Sequence, residues 1–275
     1  LEIGNGGTTG ALGAGAVTTN GTLAINRADN VTLANNISGT GGLTIAGSGV
    51  TTLSGVNTFS GGLVVNSGAA LAIPSSASLG SGLLALVGSP TVPATLMVTG
   101  TTTISNALTV SGDPVFDIAP GTTTTITSPI IDGVSSGDVV VQGGGALALT
   151  AVNTYTGLTS VAAGTTLALQ GAGAIANSVS VTNNGVLDLT GLSGATTMGG
   201  AFTQTSTGSL LMTMTANGPR SLTIAGAASL GGGLTLTATP GAYRSGTYRL
   251  LTAGGLTGTF SSFSTNLGSF ARLYS

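Results

Sequence analysis

At 275 residues the chain exceeds the usual compact domain, yet charged residues make up only 4% of it, against roughly 25% in an ordinary soluble domain. It has no His, no Cys and no Lys; its cations are Arg27, Arg220, Arg244, Arg249 and Arg272, and its net charge is -2. That composition excludes the clustered cations that displace counterions from nucleic acid, Ser-His-Asp and Cys-His catalytic sets, ordinary zinc sites and a Lys-dependent phosphate loop.

The opening Leu1-Glu2-Ile3-Gly4-Asn5 has neither the basic start nor the apolar block of a signal peptide, so a mature or excised fragment is expected. From Gly21 onward, leucines recur every 20 residues at Leu23, Leu43, Leu63 and Leu83. Ile25, Ile45, Val65 and Ala85 keep the same step, as do Leu33, Leu53 and Ile73 and the glycines Gly21, Gly41 and Gly61. Short alternating triplets at a constant step predict stacked β-strands, one coil of chain per repeat. The expected fold is therefore an all-β solenoid of about 20 residues per coil. Each unit holds two strands, such as Leu43-Thr44-Ile45 and Thr51-Thr52-Leu53, with Leu43 and Ile45 inward and Thr44 outward. An outer surface of Thr, Ser and Asn accounts for an almost uncharged chain whose mean hydropathy is +0.53. No run of some 20 apolar residues exists to form a transmembrane helix, and ten Phe and Tyr are too few for the aromatic girdles of a membrane barrel.

Between residues 74 and 138 the period falters. Pro74, Pro90, Pro93, Pro114, Pro120 and Pro129 lie there and belong at corners or loops, since proline cannot donate to a strand ladder. Leu108-Thr109-Val110 and Thr124-Thr125-Ile126 still read as strands, so the coils continue beneath. The largest excursions, and any recognition surface, are expected in this region. The period then returns at Leu147, Leu167 and Leu187, at Val141, Val161 and Val181, at Leu149, Leu169 and Leu189, and less fully at Leu210, Leu230 and Leu250. Some 13 coils would make a rod on the order of 60 Å.

Two segments align without gaps: Leu53-Ser54-Gly55-Val56-Asn57-Thr58-Phe59-Ser60-Gly61 and Leu149-Thr150-Ala151-Val152-Asn153-Thr154-Tyr155-Thr156-Gly157. Both resemble the passenger-associated β-strand repeat of bacterial autotransporters, departing from it at Ala151, where Gly is usual. The resemblance implies a right-handed, single-stranded parallel β-helix exported to the bacterial surface through the outer membrane, with a translocating outer-membrane β-barrel in the precursor. It also associates the repeat with efficient secretion. Locally, Asn57 and Asn153 are expected to bond their own backbone and hold a corner, with Phe59 and Tyr155 packing over neighbouring coils.

After residue 219 the texture changes. Ser221-Leu222-Thr223-Ile224, Leu234-Thr235-Leu236 and Tyr248-Arg249-Leu250-Leu251 read as strands, followed by Gly258-Thr259-Phe260-Ser261 and the end Leu273-Tyr274-Ser275. This segment resembles the end of an autotransporter passenger. The organisation expected is a stem over 1–219, irregular near 74–138, and a capping segment over 220–275.

No catalytic, cofactor-binding or metal-binding residue is assigned, and no cofactor is expected. The carboxylates are Glu2, Asp29, Asp113, Asp117, Asp132, Asp138 and Asp188. Asp113 with Asp117 keeps a glycosidase formally open, although Gly112-Asp113-Pro114 reads as a plain turn. The reading is thus a non-enzymatic structural or adhesive surface module. Two arrangements stay open, self-association into fibres and a monomeric rod; no nucleic acid is expected, and these residues specify no host or bacterial ligand. The alternatives are a polysaccharide-active β-helix enzyme and a scaffold that only carries an upstream domain.

Overall fold

The computed structural model describes residues 1–268 and Tyr274; of the expected end Leu273-Tyr274-Ser275, the first and last residues lie outside them. The chain is a parallel β-solenoid of about 11 turns and roughly 22 residues per turn. Three parallel sheets form its walls. The first face stacks Glu2–Gly7, Thr22–Arg27, Gly42–Ile45, Leu63–Asn66, Leu84–Val87, Leu108–Gly112 and Ile130–Gly137. The second runs from Val31–Leu33 to Leu251–Gly258, and the third from Thr102–Ile104 to Ser262–Thr265.

Like residues sit on like along each inward file. Leu23 pairs with Leu43 and Leu43 with Leu63, all about 1% exposed. Leu147, Leu167 and Leu187 do the same on the third face. Each is covered by the coils above and below, so burial at about 25 cal/mol per Å² accumulates coil by coil without a central core. The corner glycines of the first coils carry a steric reason: a Cβ at Gly41 would lie 2.0 Å from Gly21 O, and one at Gly61 2.5 Å from the Gly41 carbonyl carbon. Coils at strand spacing leave no room there for a side chain.

The expected period fails where coils lengthen. Leu63 pairs with Leu84, not Leu83, and Val65 with Leu86, not Ala85. The short 3-10 helix Ser76–Ser78 lies in the coil before this step of 21 residues. Because strand side chains alternate, one extra residue moves Leu83 out of the wall to 43% exposure. Val161 pairs with Asn183, and Val181 stacks on Thr159. Leu210 pairs with Leu234 and Leu234 with Phe263, whereas Leu230 pairs with Gly258 on another face. The apparent 20-residue step through Leu230 and Leu250 is therefore a coincidence of longer coils, and the count is about 11 turns instead of 13.

All six prolines between 74 and 129 fall outside strands. The coils there step by 20 to 25 residues, while the step from Leu234 to Phe263 is 29, so the longest excursion lies toward the C-terminal end. Leu222–Ile224 and Leu234–Leu236 are strand as expected, within Leu222–Leu230 and Gly233–Ala238, while Ser221 lies just before the first. Tyr248-Arg249-Leu250 is not; strand resumes only at Leu251, because this stretch belongs to the long excursion after Pro240-Gly241.

Candidate functional site: the two asparagine corners

The segments around Asn57 and Asn153 form equivalent corners on different faces. In the first copy, Val50–Leu53 lies on the second face and Leu63–Asn66 on the first, so the corner between them occupies the third face. In the second copy, Ala146–Leu149 lies on the third face and Leu158–Val161 on the second, so the corner occupies the first. Coils such as Leu84–Val87, Thr95–Val98 and Thr102–Ile104 contribute three strands instead of two. These extra strands turn the second copy by one face relative to the first.

Each asparagine bridges three coils. Asn57, 6% exposed, accepts through Oδ1 from the Ile37 N–H of the coil below at 2.8 Å. Its Nδ2 donates to Ser78 O of the coil above at 2.7 Å. Asn153, 2% exposed, accepts from Ile130 N–H at 2.9 Å and donates to Ala174 O at 2.9 Å. A side-chain amide carries both a donor and an acceptor, so it adds one more rung beside the corner's own backbone bonds, such as Asn57 N–H to Ala77 O and Asn153 N–H to Ala174 O. Only the bond from Asn153 Nδ2 to Ala151 O stays within the corner, as the sequence had suggested; the others join coils.

Beneath the corners, Phe59 and Tyr155 are fully buried, as expected. Their surroundings differ by a matched pair of substitutions. Tyr155 OH lies 2.7 Å from Thr159 Oγ1, which lies 2.9 Å from Ser178 Oγ, and Ser178 Oγ donates to Gly157 O at 2.9 Å. Where the second copy has Thr159, the first has Leu63 beside its Phe59. Burial drives the Tyr155 phenol above its ordinary range, outweighing the hydroxyl of Thr159, so it stays a neutral donor.

Two carboxylates extend the second corner. Asp132 Oδ1 accepts from Gly137 N–H and Thr156 N–H, each at 3.0 Å, and Oδ2 accepts from Thr156 Oγ1 at 2.7 Å. Partial desolvation pushes its pKa up, but these donors outweigh it and leave the carboxyl below the usual range. Asp138 Oδ1 accepts from Leu158 N–H at 2.9 Å, while desolvation, with the neighbouring Asp113 carboxylate, raises its pKa to about 6. Asp117 is not the partner of Asp113: it lies on the second face and accepts from Gln142 Nε2 at 2.9 Å. One coil of chain separates the paired positions, which spacing within a turn sequence could not show.

Asn20, Asn30 and Asn36, which begin Asn-x-Ser/Thr sequons, accept from the backbone of Thr40, Val50 and Val56 one coil on. Among the described residues, no group of three or more His, Cys, Asp or Glu gathers as a metal site. No helix among them is long and apolar enough to cross a membrane.

A family model described as passenger-associated-transport-repeat matches residues 43–73 and 139–169, each match centred on one of these corners. The chain carries two passenger-associated-transport-repeats. The two matches and the parallel solenoid are consistent with an autotransporter passenger with β-strand repeats. No curated protein and no solved structure matches the chain. Within the passenger repeats, the asparagine and aromatic positions were legible in the sequence; the hydroxyl chain from Tyr155 and the carboxylates at 132 and 138 were not. The one available signal was the exchange of the Phe59 and Leu63 pair for Tyr155 and Thr159.

Proposed function

We propose that the chain is a non-enzymatic structural and adhesive module of a passenger displayed on the bacterial cell surface. Residues 1–219 would act as the stem and 220–275 as its cap. The observation that carries this reading is the three-coil asparagine bridge, present in both passenger repeats. Such bridges add side-chain rungs between successive coils at corners outside the regular strands, which is what a load-bearing stem requires. Lateral or end-to-end association into fibres is the partnership this surface favours, since few charges guard its strand edges. About 11 turns at ~4.8 Å give a stem on the order of 50 Å.

Electron microscopy of the purified chain across a concentration series tests the assembly. Fibres with an axial repeat near one stem length are the expected result. Isolated short rods at every concentration would remove the fibre reading and leave a monomeric stem. A second reading, a polysaccharide-active enzyme, draws on the neighbouring Asp113 and Asp138 carboxylates. Release of reducing ends from a panel of bacterial and host polysaccharides, abolished by D138N, would favour it over the structural reading.

A further inference from the structure

The final turns enclose a hollow. After Gly233–Ala238 the chain makes its long excursion before strand resumes at Leu251, carrying Tyr243, Arg244, Tyr248 and Arg249 across the end of the solenoid. The space left is a cavity of about 960 Å³, in the range of small-molecule sites. Its walls are apolar, aliphatic and aromatic together: Met214, Leu230, Leu234, Leu251, Phe260 and Phe263. Among the described residues, no Asp or Glu lines it.

The polar groups at its edge divide cleanly. Tyr243 OH donates to Met214 O at 3.1 Å, and Tyr248 OH donates to Arg244 O at 2.7 Å, so both hydroxyls are engaged by the fold. Elsewhere Arg27 is bound by Asp29, and the Arg220 guanidinium donates to the Thr190 and Leu192 carbonyls. The guanidiniums of Arg244 and Arg249 have no hydrogen-bond or ionic partner among the described residues, and both line the hollow. An apolar cavity edged by two guanidiniums that no described residue pairs, and by no described Asp or Glu, selects a ligand with an apolar body and an anionic end.

We propose that this C-terminal hollow binds a single-chain amphiphile with an anionic head group, such as a long-chain fatty acid. Its hydrocarbon lies among the leucines, and its carboxylate pairs with Arg244 and Arg249, whose forked donors match a carboxylate.

Calorimetric titration of the purified full chain with laurate below its micellar concentration tests this, with dodecanol and dodecyltrimethylammonium as neutral and cationic partners of equal chain length. The expected result is one laurate per chain, with affinity at least tenfold weaker for dodecanol and no binding of the cation. The double variant R244Q/R249Q changes only exposed side chains and is expected to fold normally and to lose laurate affinity tenfold or more. Equal affinity for all three amphiphiles, no binding of laurate, or full laurate affinity in R244Q/R249Q would overturn the proposal. Displacement of laurate at lower concentration by an apolar acidic peptide would overturn the assignment to an amphiphile in favour of a peptide.

Discussion

The Asn153 side chain stands one coil above Ile130 and accepts its amide hydrogen at 2.9 Å, while donating to Ala174 O in the coil above at the same distance. Asn57 repeats this between Ile37 and Ser78. Removing either amide leaves a buried N–H without its partner, at a cost of about 1–3 kcal/mol; N57A also strands Ser78 O, whereas Ala174 O keeps the Asn153 backbone N–H. N153A and N57A are each expected to lower unfolding stability by about 2 kcal/mol or more, read as a shift in the denaturant midpoint. N153D keeps an acceptor for Ile130 but sets a carboxylate oxygen against Ala174 O, so it should be no better than N153A. A midpoint within error of the parent for N153A would show that the bridges carry no load.

The buried hydroxyl chain of the second repeat supplies a paired test. Y155F strands Thr159 and is expected to cost about 1 kcal/mol. Adding T159L recreates the Phe59 and Leu63 pair of the first repeat, except that Ser178 then loses its Thr159 contact while keeping Gly157 O. Y155F/T159L should therefore be less destabilised than the sum of its single variants, a coupling visible in a double-mutant cycle. Strict additivity would count against a connected chain.

Register gives a sharper contrast still. Leu84 is fully buried in the coil above Leu63, whereas Leu83 beside it is 43% exposed. L84D places an unpaired charge between two coils and is expected to prevent cooperative folding. L83D, facing solvent, should shift stability by about 0.5 kcal/mol or less. Circular dichroism melts of the two variants read the difference, and the reverse order would restore the simple 20-residue period.

Proton linkage at Asp138 has a defined sign. Its folded pKa of about 6 exceeds that of an ordinary carboxyl near 3.9, so the folded chain binds the proton more tightly. This contribution to stability is fully present below about pH 4 and is lost as pH rises through about 6. D138N should remove that slope between pH 4 and 6. Asp132 acts the other way, its lowered pKa supporting the fold above about pH 4 and releasing it as pH falls further. Melting temperatures of the parent and D138N from pH 4 to 7.5 provide the check.

The solenoid was legible because coil burial forces like onto like: Leu23, Leu43 and Leu63 repeat at the spacing of the coils themselves. The slip to Leu84 was not, since either of two adjacent leucines satisfies the apolar pattern and only the length of the intervening corner decides. The same limit hid Asn183 and Gln204, which follow Phe116, Val141 and Val161 in one inward file. Their amides meet each other at 3.2 Å inside the wall, an arrangement no hydrophobic period signals. Asn57 and Asn153 were singled out by repetition, yet their bonds reach across coils because a turn residue's nearest unsatisfied backbone lies in the neighbouring coil, about 4.8 Å away.

The central claim, that these bridged coils form the stem of an exported passenger, is tested most directly by surface display. The chain joined ahead of a translocating outer-membrane barrel should reach the cell surface as a compact protease-resistant core, and N57A/N153A should reach it in smaller amount or in a protease-sensitive form. Retention of the parent chain inside the cell, or equal resistance of the parent and N57A/N153A at the surface, would contradict it.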